Sequence, residues 1–133
     1  MNILDENFIE SQCRLLRSWH IHFRQVGSTW GKKGLKDEEI ISHLLKLNNP
    51  TFFTRDEGFF NDKLCHPAYC LVHLAVRKDE SASFMRRVLK HPDFNTKIKR
   101  MGCIIRASHV GLTVYKIKTK NYYHYDWSRE VIK

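Results

Sequence analysis

The sequence predicts an α/β domain in which a mostly parallel sheet is flanked by helices and closed by a C-terminal strand pair. Short apolar segments alternate along the chain with amphipathic segments of helical period, which is the pattern of βαβ units. The central apolar segments lack period-two alternation, as is typical of parallel strands covered on both faces. The 133 residues, of which 42% are hydrophobic, suit one core. We therefore predict a single domain over residues 1–133, with a basic, aromatic tail from about residue 119.

The first half of the chain predicts two strands and two helices. Residues 2–4 predict a first strand. A helix should follow, because apolar residues recur there at three- and four-residue spacings: Phe8, Ile9, Cys13, Leu16 and Trp19. Residues 20–26 predict a second strand, and a glycine-containing loop spans residues 27–34. A second helix opens at Asp37 and ends before residues 48–50, with a predicted buried stripe at Ile40, Ile41, Leu44 and Leu45.

The second half continues the alternation. Residues 51–54 predict a third strand, a short turn of helix or loop spans 57–63, and residues 70–76 predict a fourth strand. Residues 81–91 predict a third helix, with its buried face at Phe84, Met85, Val88 and Leu89. The closing strand pair is predicted at residues 103–108 and 112–118.

The net charge of +9 is unevenly distributed along the chain. Residues 1–80 carry 11 basic and 11 acidic side chains, whereas residues 81–133 carry 12 and 3. This asymmetry favours a polyanionic partner, either nucleic acid or an acidic protein. The alternative is a basic surface with no dedicated partner.

Several classes of protein and site are disfavoured. No apolar run approaches the roughly 20 residues that a membrane-spanning helix needs. Two acids and no long apolar segment stand near the N-terminus, so we expect no secretory signal and a cytoplasmic protein. The four cysteines are then expected to be reduced core thiols rather than disulfides. A zinc site is disfavoured because Cys70 and His73 have an odd spacing within a strand, which places their side chains on opposite faces.

The familiar catalytic motifs are absent, and carboxylates remain as the candidates. The segment 27–33 is one residue short of a phosphate-binding loop, and no nucleophile elbow or dinucleotide fingerprint occurs. Asp5 and Asp56 each lie just beyond a predicted strand, and Asp37 and Glu38 lie at a helix start. Ligand sites of open α/β sheets form beyond the carboxyl ends of the strands. We expect Asp37 and Glu38 to point inward.

Converging carboxylates favour a divalent cation. Each close pair repels by roughly 1 to 4 kcal/mol, which a bound cation offsets. Oxygen ligands suit Mg²⁺ or Mn²⁺, which can activate water and neutralise a phosphodiester, so hydrolysis of nucleic acid is the hypothesis. The alternative is structural, with these acids acting as caps of the elements that follow them. The catalytic candidates are Asp5, Asp37, Glu38 and Asp56, and the metal-ligand candidates among them are Asp5, Asp37 and Asp56.

Three short motifs in order resemble the PIN-like nuclease family. They are residues 2–7, residues 36–41 after a glycine-containing loop, and residues 53–59 after a strand. More closely, the first 76 residues are similar to the small stand-alone prokaryotic members read as toxins of toxin–antitoxin systems, such as VapC. The resemblance implies a Rossmann-like PIN sheet and a Mg²⁺- or Mn²⁺-dependent endoribonuclease. It implies metal ligands at Asp5, at Asp37 or Glu38, and at Asp56, and a cognate antitoxin as partner.

One departure from the family pattern concerns catalysis. Relatives often carry a second Asp where this chain has Gly58. Glu57, Asp62 or Asp79 could replace it, or the chain could bind nucleic acid without cutting it. A third interpretation is an interaction module that docks an acidic protein.

RNA as substrate would be held by the basic side chains, and aromatic residues could stack on unpaired bases. The alternative for the aromatic residues is packing on the body of the protein or in a homo-oligomer interface. The aromatic candidates are Tyr122, Tyr123, Tyr125 and Trp127. The RNA-binding candidates are Lys32, Lys33, Arg55, Lys97, Lys99 and Arg100.

Overall fold

The computed structural model describes residues 1–127 and contains one seven-stranded sheet. The strands are β1 (Asn2–Leu4), β2 (Arg24–Gln25), β3 (Thr51–Thr54), β4 (Cys70–Leu74), β5 (Cys103–Ser108), β6 (Gly111–Lys116) and β7 (Asn121–Tyr125). Their spatial order is β2-β1-β3-β4-β5-β6-β7. The first five strands are parallel, and β6 and β7 continue the sheet as an antiparallel meander. The predicted α/β class, with a mostly parallel sheet, is confirmed.

The helices are α1 (Glu10–Ser18), α2 (Asp37–Leu44), α3 (Ser81–Lys90) and α4 (Lys97–Arg100). Two short 3₁₀ turns, Glu57–Phe59 and Asp62–Leu64, occupy the segment between β3 and β4, and a third, Lys78–Glu80, precedes α3. Among the helices found between residues 1 and 127, none combines the length and apolar character needed to cross a bilayer.

The sheet separates two apolar layers. Leu4, Phe53 and Val72 pack with residues of α1 and α3 on one face, and their chain neighbours pack with α2 on the other. Burying both faces explains why the central strands read as continuous apolar runs. The predicted buried stripe of α2 holds for Ile40 and Leu44 but is wrong for Leu45, which is 45% exposed.

The predicted second strand is wrong over residues 20–23. His20 has a φ of 60°, and the amide of Ile21 donates to the carbonyl of Leu16 at 2.9 Å. The amide of His20 donates to Arg17 O at 2.9 Å, which completes a Schellman turn at the end of α1. Residues 20–23 therefore belong to the turn that ends α1, and only Arg24–Gln25 pairs with β1.

The predicted strand pair is a three-stranded meander, and the predicted tail is wrong over residues 121–125. This segment pairs antiparallel with β6, with Val114 opposite Tyr123. Its aromatic residues are good strand formers on a half-buried surface. Beyond it, Trp127 is buried and its Nε1–H donates to Ser108 O at 2.6 Å. Residues 128–133 lie outside the described part of the chain.

All four cysteines are free thiols, as predicted. Cys13, Cys70 and Cys103 are buried, whereas Cys65 is only half-buried. Burial raises the pKa of the Cys65 thiol to about 11. These thiols are therefore protonated near neutral pH and behave as small apolar groups.

Candidate functional site

Two acidic segments meet at the carboxyl edge of the sheet, where the parallel strands end. Asp5 follows β1 and Asp56 follows the neighbouring strand β3. Thr54 joins them, because its hydroxyl donates to Asp5 Oδ2 at 2.5 Å and its Oγ1 accepts from the Asp56 amide at 3.0 Å. The amide of Asp5 also donates to Phe53 O at 3.0 Å. The prediction that both acids lie at strand ends on one edge is therefore confirmed.

Asp37 and Asp56 converge at Gly58. Asp56 Oδ1 lies 3.1 Å and Asp37 Oδ2 lies 3.9 Å from the point where a Cβ on Gly58 would stand. The Gly58 amide donates to Asp56 Oδ1 at 2.9 Å, so a short turn holds that carboxylate in place. Any side chain at this position would crowd Asp56. The glycine thus keeps the space between two carboxylates open.

Asp37 lies in the electrostatic field of the other acids. Its pKa is raised above the ordinary value, first by partial burial and then by the charges of Asp56, Glu38 and Asp5. The prediction that Asp37 and Glu38 point inward is wrong as to burial, because both side chains are exposed at the first turn of α2, but the Asp37 carboxylate faces Asp56 across Gly58. Glu39 has a structural role, since its Oε1 accepts from the Lys36 amide at 2.9 Å in a capping interaction.

Replacing Asp37 by Asn should stabilise the protein slightly near neutral pH in the absence of divalent ions. Since the folded pKa is raised, the contribution of Asp37 to stability is present below the unfolded pKa and is lost as pH rises through the folded pKa. Solvent screens much of this repulsion at an exposed side chain. We expect a higher urea midpoint for the variant near neutral pH and equal midpoints below the ordinary pKa of 3.8. A lower midpoint near neutral pH would contradict the repulsion.

The carboxylate oxygens of this site suit a hard cation, although they do not surround a common point as in a fully protein-coordinated site. All the candidate donors are carboxylate oxygens, which Mg²⁺ and Mn²⁺ prefer. Within residues 1–127, no group of three or more His, Cys, Asp or Glu side chains is arranged to hold a metal ion. Mg²⁺ commonly binds through one or two carboxylates and completes its shell with water and phosphate. The convergence of Asp37 and Asp56 fits that open kind of site.

Basic side chains flank the acids. A cleft of about 290 Å³ is lined by Asp5, Asn7, Phe8, Arg55, Asp56, Lys78 and Ser81. Arg55 is oriented by its Nε–H, which donates to Val76 O at 2.8 Å. Lys78 was not among the predicted residues, because its position in this cleft depends on the conformation of the loop after β4. The cleft therefore places positive charge beside Asp5 and Asp56.

The other predicted RNA-binding residues separate into two groups. Lys32 and Lys33 lie in the loop between β2 and α2, which is tied to the carboxyl edge by the Gly34 amide donating to Glu6 Oε1 at 2.9 Å. Lys97 and Lys99 lie in α4, just before β5, and so at the amino ends of the parallel strands. They are on the edge of the sheet opposite to the acids.

The prediction that Arg100 binds RNA is wrong. The residue is only 5% exposed. Its Nε–H donates to Thr51 Oγ1 at 3.0 Å and its Nη1 donates to Phe94 O at 2.7 Å. Its guanidinium therefore ties α4 to the start of β3 and is not available to a phosphate.

Sequence reasoning missed two polar residues on the sheet near the acids. His73 in β4 is the cross-strand neighbour of Arg106 in β5, and both line an open pocket of about 650 Å³ that reaches Gly58. The available signal was a single Arg following two Ile residues in a predicted strand. Side-chain orientation on a strand covered on both faces cannot be read from such a run.

Comparisons of this chain with protein-family models, with curated proteins and with solved structures find no match. The family resemblance therefore stays a prediction from the sequence motifs.

Proposed function

We propose that this protein is a Mg²⁺- or Mn²⁺-dependent endoribonuclease that hydrolyses RNA phosphodiesters at the carboxyl edge of its sheet. The observation that carries the proposal is the approach of Asp37 and Asp56 at Gly58, with Asp5 linked to Asp56 through Thr54 at the same edge. The pKa of Asp37 is raised first by partial burial and then by repulsion from the charges of Asp56, Glu38 and Asp5. Such repulsion is relieved when a divalent cation binds between the carboxylates.

The chain supplies the ligands and their orientation. Asp56, held by the Gly58 amide, and Asp37 are the first candidates to bind the cation, and Asp5 is positioned beside them by Thr54. When bound, the cation supplies activation of water and neutralisation of charge at the phosphorus. Glu38 is exposed at the same helix start, where it adds negative charge.

Positive charge around the acids supports a polyanionic substrate. Arg55 and Lys78 line the cleft beside Asp5 and Asp56, and Lys32 and Lys33 lie in a loop at the same edge. These side chains would hold phosphates on either side of the bond to be cut. The sequence resemblance extends the proposal to a PIN-like toxin with a cognate antitoxin protein as partner.

The test is a cleavage assay on single-stranded RNA with the metal-stripped protein. We expect cleavage after addition of Mg²⁺ or Mn²⁺, and none in EDTA or with Ca²⁺, whose coordination is larger and less strictly octahedral. Cleavage that persists in EDTA would contradict the metal dependence. Absence of cleavage with every divalent ion would exclude the ribonuclease function.

A second candidate function is nucleic-acid binding without cleavage. It is favoured by Gly58, which provides no carboxylate where family relatives often carry one, and by the lack of a closed three-ligand cage within residues 1–127. The two functions differ in the assay above, because only the first releases new RNA ends. Salt-dependent RNA binding is expected for both.

A further inference from the structure

The α2 side of the sheet is open beyond α2, and a pocket lies there. Cross-strand register places Phe52, Leu71, Ile104, Tyr115 and Tyr122 in one row, and Thr54, His73, Arg106, Thr113 and His124 in the next. The first residues of each row lie in the buried part of the sheet, whereas Tyr122 and His124 are exposed. The pocket of about 650 Å³ is lined by Phe60, His73, Arg106 and Tyr122 and by acidic residues of the 3₁₀ turns. Its size is that of a small-ligand site.

His73 forms part of the wall of this pocket. The residue is only 6% exposed, and its Nδ1 is fully buried, with no hydrogen-bond partner among residues 1–127. Burial, with the neighbouring charge of Arg106, lowers the pKa of the imidazole, so the ring is neutral near neutral pH. A buried polar atom without a partner is costly. Because this nitrogen is out of reach of solvent, a ligand in the pocket would contact the remaining surface of the ring.

Arg106 brings an uncommitted cation. It is exposed on the wall of the pocket, and it makes no salt bridge or side-chain hydrogen bond with any residue between 1 and 127. The nearby carboxylate of Asp62 instead accepts from the Tyr122 hydroxyl at 2.8 Å. A guanidinium has planar donors that match the oxygens of a phosphate.

The pocket also has an aromatic wall. Tyr122 is 50% exposed, and its ring centroid lies 6.2 Å from that of Phe60 and 5.0 Å from that of Tyr115. The hydrogen bond from its hydroxyl to Asp62 fixes the orientation of the ring. A fixed, half-exposed ring is a platform on which an unpaired base can stack.

Gly58 connects this pocket to the carboxylates. It lines the pocket and also lies beside Asp56 Oδ1 and Asp37 Oδ2. We propose that the pocket binds one unpaired nucleotide of the RNA substrate next to the bond that is cut. Arg106 contacts its phosphate, the ring of Tyr122 stacks on its base, and the ring of His73 packs against the nucleotide. The assignment of the ligand as part of an RNA substrate rests on the proposed function.

Charge distinguishes this ligand from an acidic peptide. Glu57 and Asp62 also line the pocket, so an anionic group is favoured only next to Arg106, and an acidic peptide offers no aromatic ring to the rest of the wall. A nucleotide presents one phosphate to Arg106 and an uncharged ring to the rest of the wall. The combination of one cation, one aromatic platform and one neutral imidazole suits that distribution of charge.

The test measures binding of a labelled single-stranded RNA hexamer in EDTA, in an Asp56→Asn background that does not cleave. Arg106→Gln should weaken binding about tenfold or more, because a charge-assisted hydrogen bond is lost. It should also reduce the slope of log affinity against log salt by about 0.7. Tyr122→Leu should weaken binding about tenfold through lost stacking. Arg24→Gln is the matched control, since it removes an exposed arginine from β2 at the far side of the sheet.

Imidazole nitrogen NMR signals give a second readout at the pocket itself. A 5′-mononucleotide and the hexamer should both shift the His73 signals, whereas inorganic phosphate, which has no ring or ribose, should leave them in place. Equal affinities for Arg106→Gln and Arg24→Gln would overturn the proposal, as would His73 signals unmoved by the hexamer. Tighter binding of an oligoglutamate peptide than of the hexamer would also overturn it.

The outcomes separate this proposal from the proposed function. If RNA binds through Arg106 but the wild-type protein never cuts it with Mg²⁺ or Mn²⁺, the nucleotide-binding pocket is supported and the ribonuclease function is excluded. If the wild-type protein and Arg106→Gln bind RNA with equal affinity and cut it at equal rates, the ribonuclease function is supported and the nucleotide-binding pocket is excluded.

Discussion

Asp56→Asn should lower the rate of divalent-dependent RNA cleavage by about 100-fold or more. Removing one preorganised charged group from a reacting centre typically costs roughly 10² to 10³ in rate. Asp56 is held in place by the Gly58 amide, which donates to its Oδ1 at 2.9 Å, and Asp37 Oδ2 lies nearby. The amide oxygen of Asn can still accept from Gly58, so the turn survives while the charge is lost. Initial rates at saturating Mg²⁺ measure the effect.

Asp5→Asn should behave in the same way, and Glu39→Gln provides the control. Glu39 is an acid of the same helix start, but its Oε1 caps the Lys36 amide, and Gln preserves that contact. We expect wild-type rates for Glu39→Gln and unchanged or slightly higher urea midpoints for the two Asp variants without metal. Full activity in Asp5→Asn, or a loss of several kcal/mol in its free energy of unfolding, would show that Asp5 is structural.

Arg100→Glu should reduce the free energy of unfolding by about 3 to 5 kcal/mol, which is the scale for leaving an uncompensated buried charge. The substitution removes the donors to Thr51 Oγ1 and Phe94 O and places a carboxylate beside that carbonyl oxygen. The site is only 5% exposed, so water cannot solvate the new charge. Urea unfolding at neutral pH measures the difference.

Lys97→Glu is the matched control, because it is the same type of charge reversal in the same four-residue helix. Its side chain is exposed, and surface substitutions usually change stability by no more than about 0.5 kcal/mol. A small effect for Arg100→Glu, similar to that of Lys97→Glu, would mean that the guanidinium does not tie α4 to β3.

Hydrophobic periodicity was enough to locate most elements. The predicted third strand coincides with β3, the predicted helix at residues 81–91 exceeds α3 by one residue, and the first strand of the closing pair coincides with β5. These segments are either buried on both faces or strongly amphipathic, so the burial of apolar side chains determines their sequence patterns. The layering of helices on a mostly parallel sheet follows from the same alternation, whereas the spatial order of the strands was not predicted.

The errors lie where one residue type serves two structural purposes. His20 occupies the left-handed position of a helix-ending turn that glycine usually fills, so residues 20–23 read as a strand. Tyr123 and its neighbours lie in an edge strand whose polar aromatic residues read as a tail. A run of basic residues reads as a solvated surface, and the burial of Arg100 depends on contacts with Thr51 and Phe94 that no local pattern encodes.

The site was predictable only in part. Asp5 and Asp56 follow strands that pair in parallel, and this is sufficient to bring them to one edge. The orientation of Asp37 was not predictable from helical spacing, because the first residue of a helix lies beyond the packed turns. The pairing of His73 with Arg106 required the register between β4 and β5, which the sequence does not contain.

The meander and the parallel strands impose different demands on folding. Two residues connect β5 to β6 and four connect β6 to β7, so these pairings close short loops. The pairing of β1 with β3 places Ile3 beside Phe52. This pairing closes a far longer loop, so more chain entropy is lost before any contact between the two strands compensates for it. The carboxylates of Asp5 and Asp56 come together only with that pairing. A chain that has folded only its local hairpins therefore carries no assembled acidic site, and the candidate nuclease centre is a property of the completed sheet.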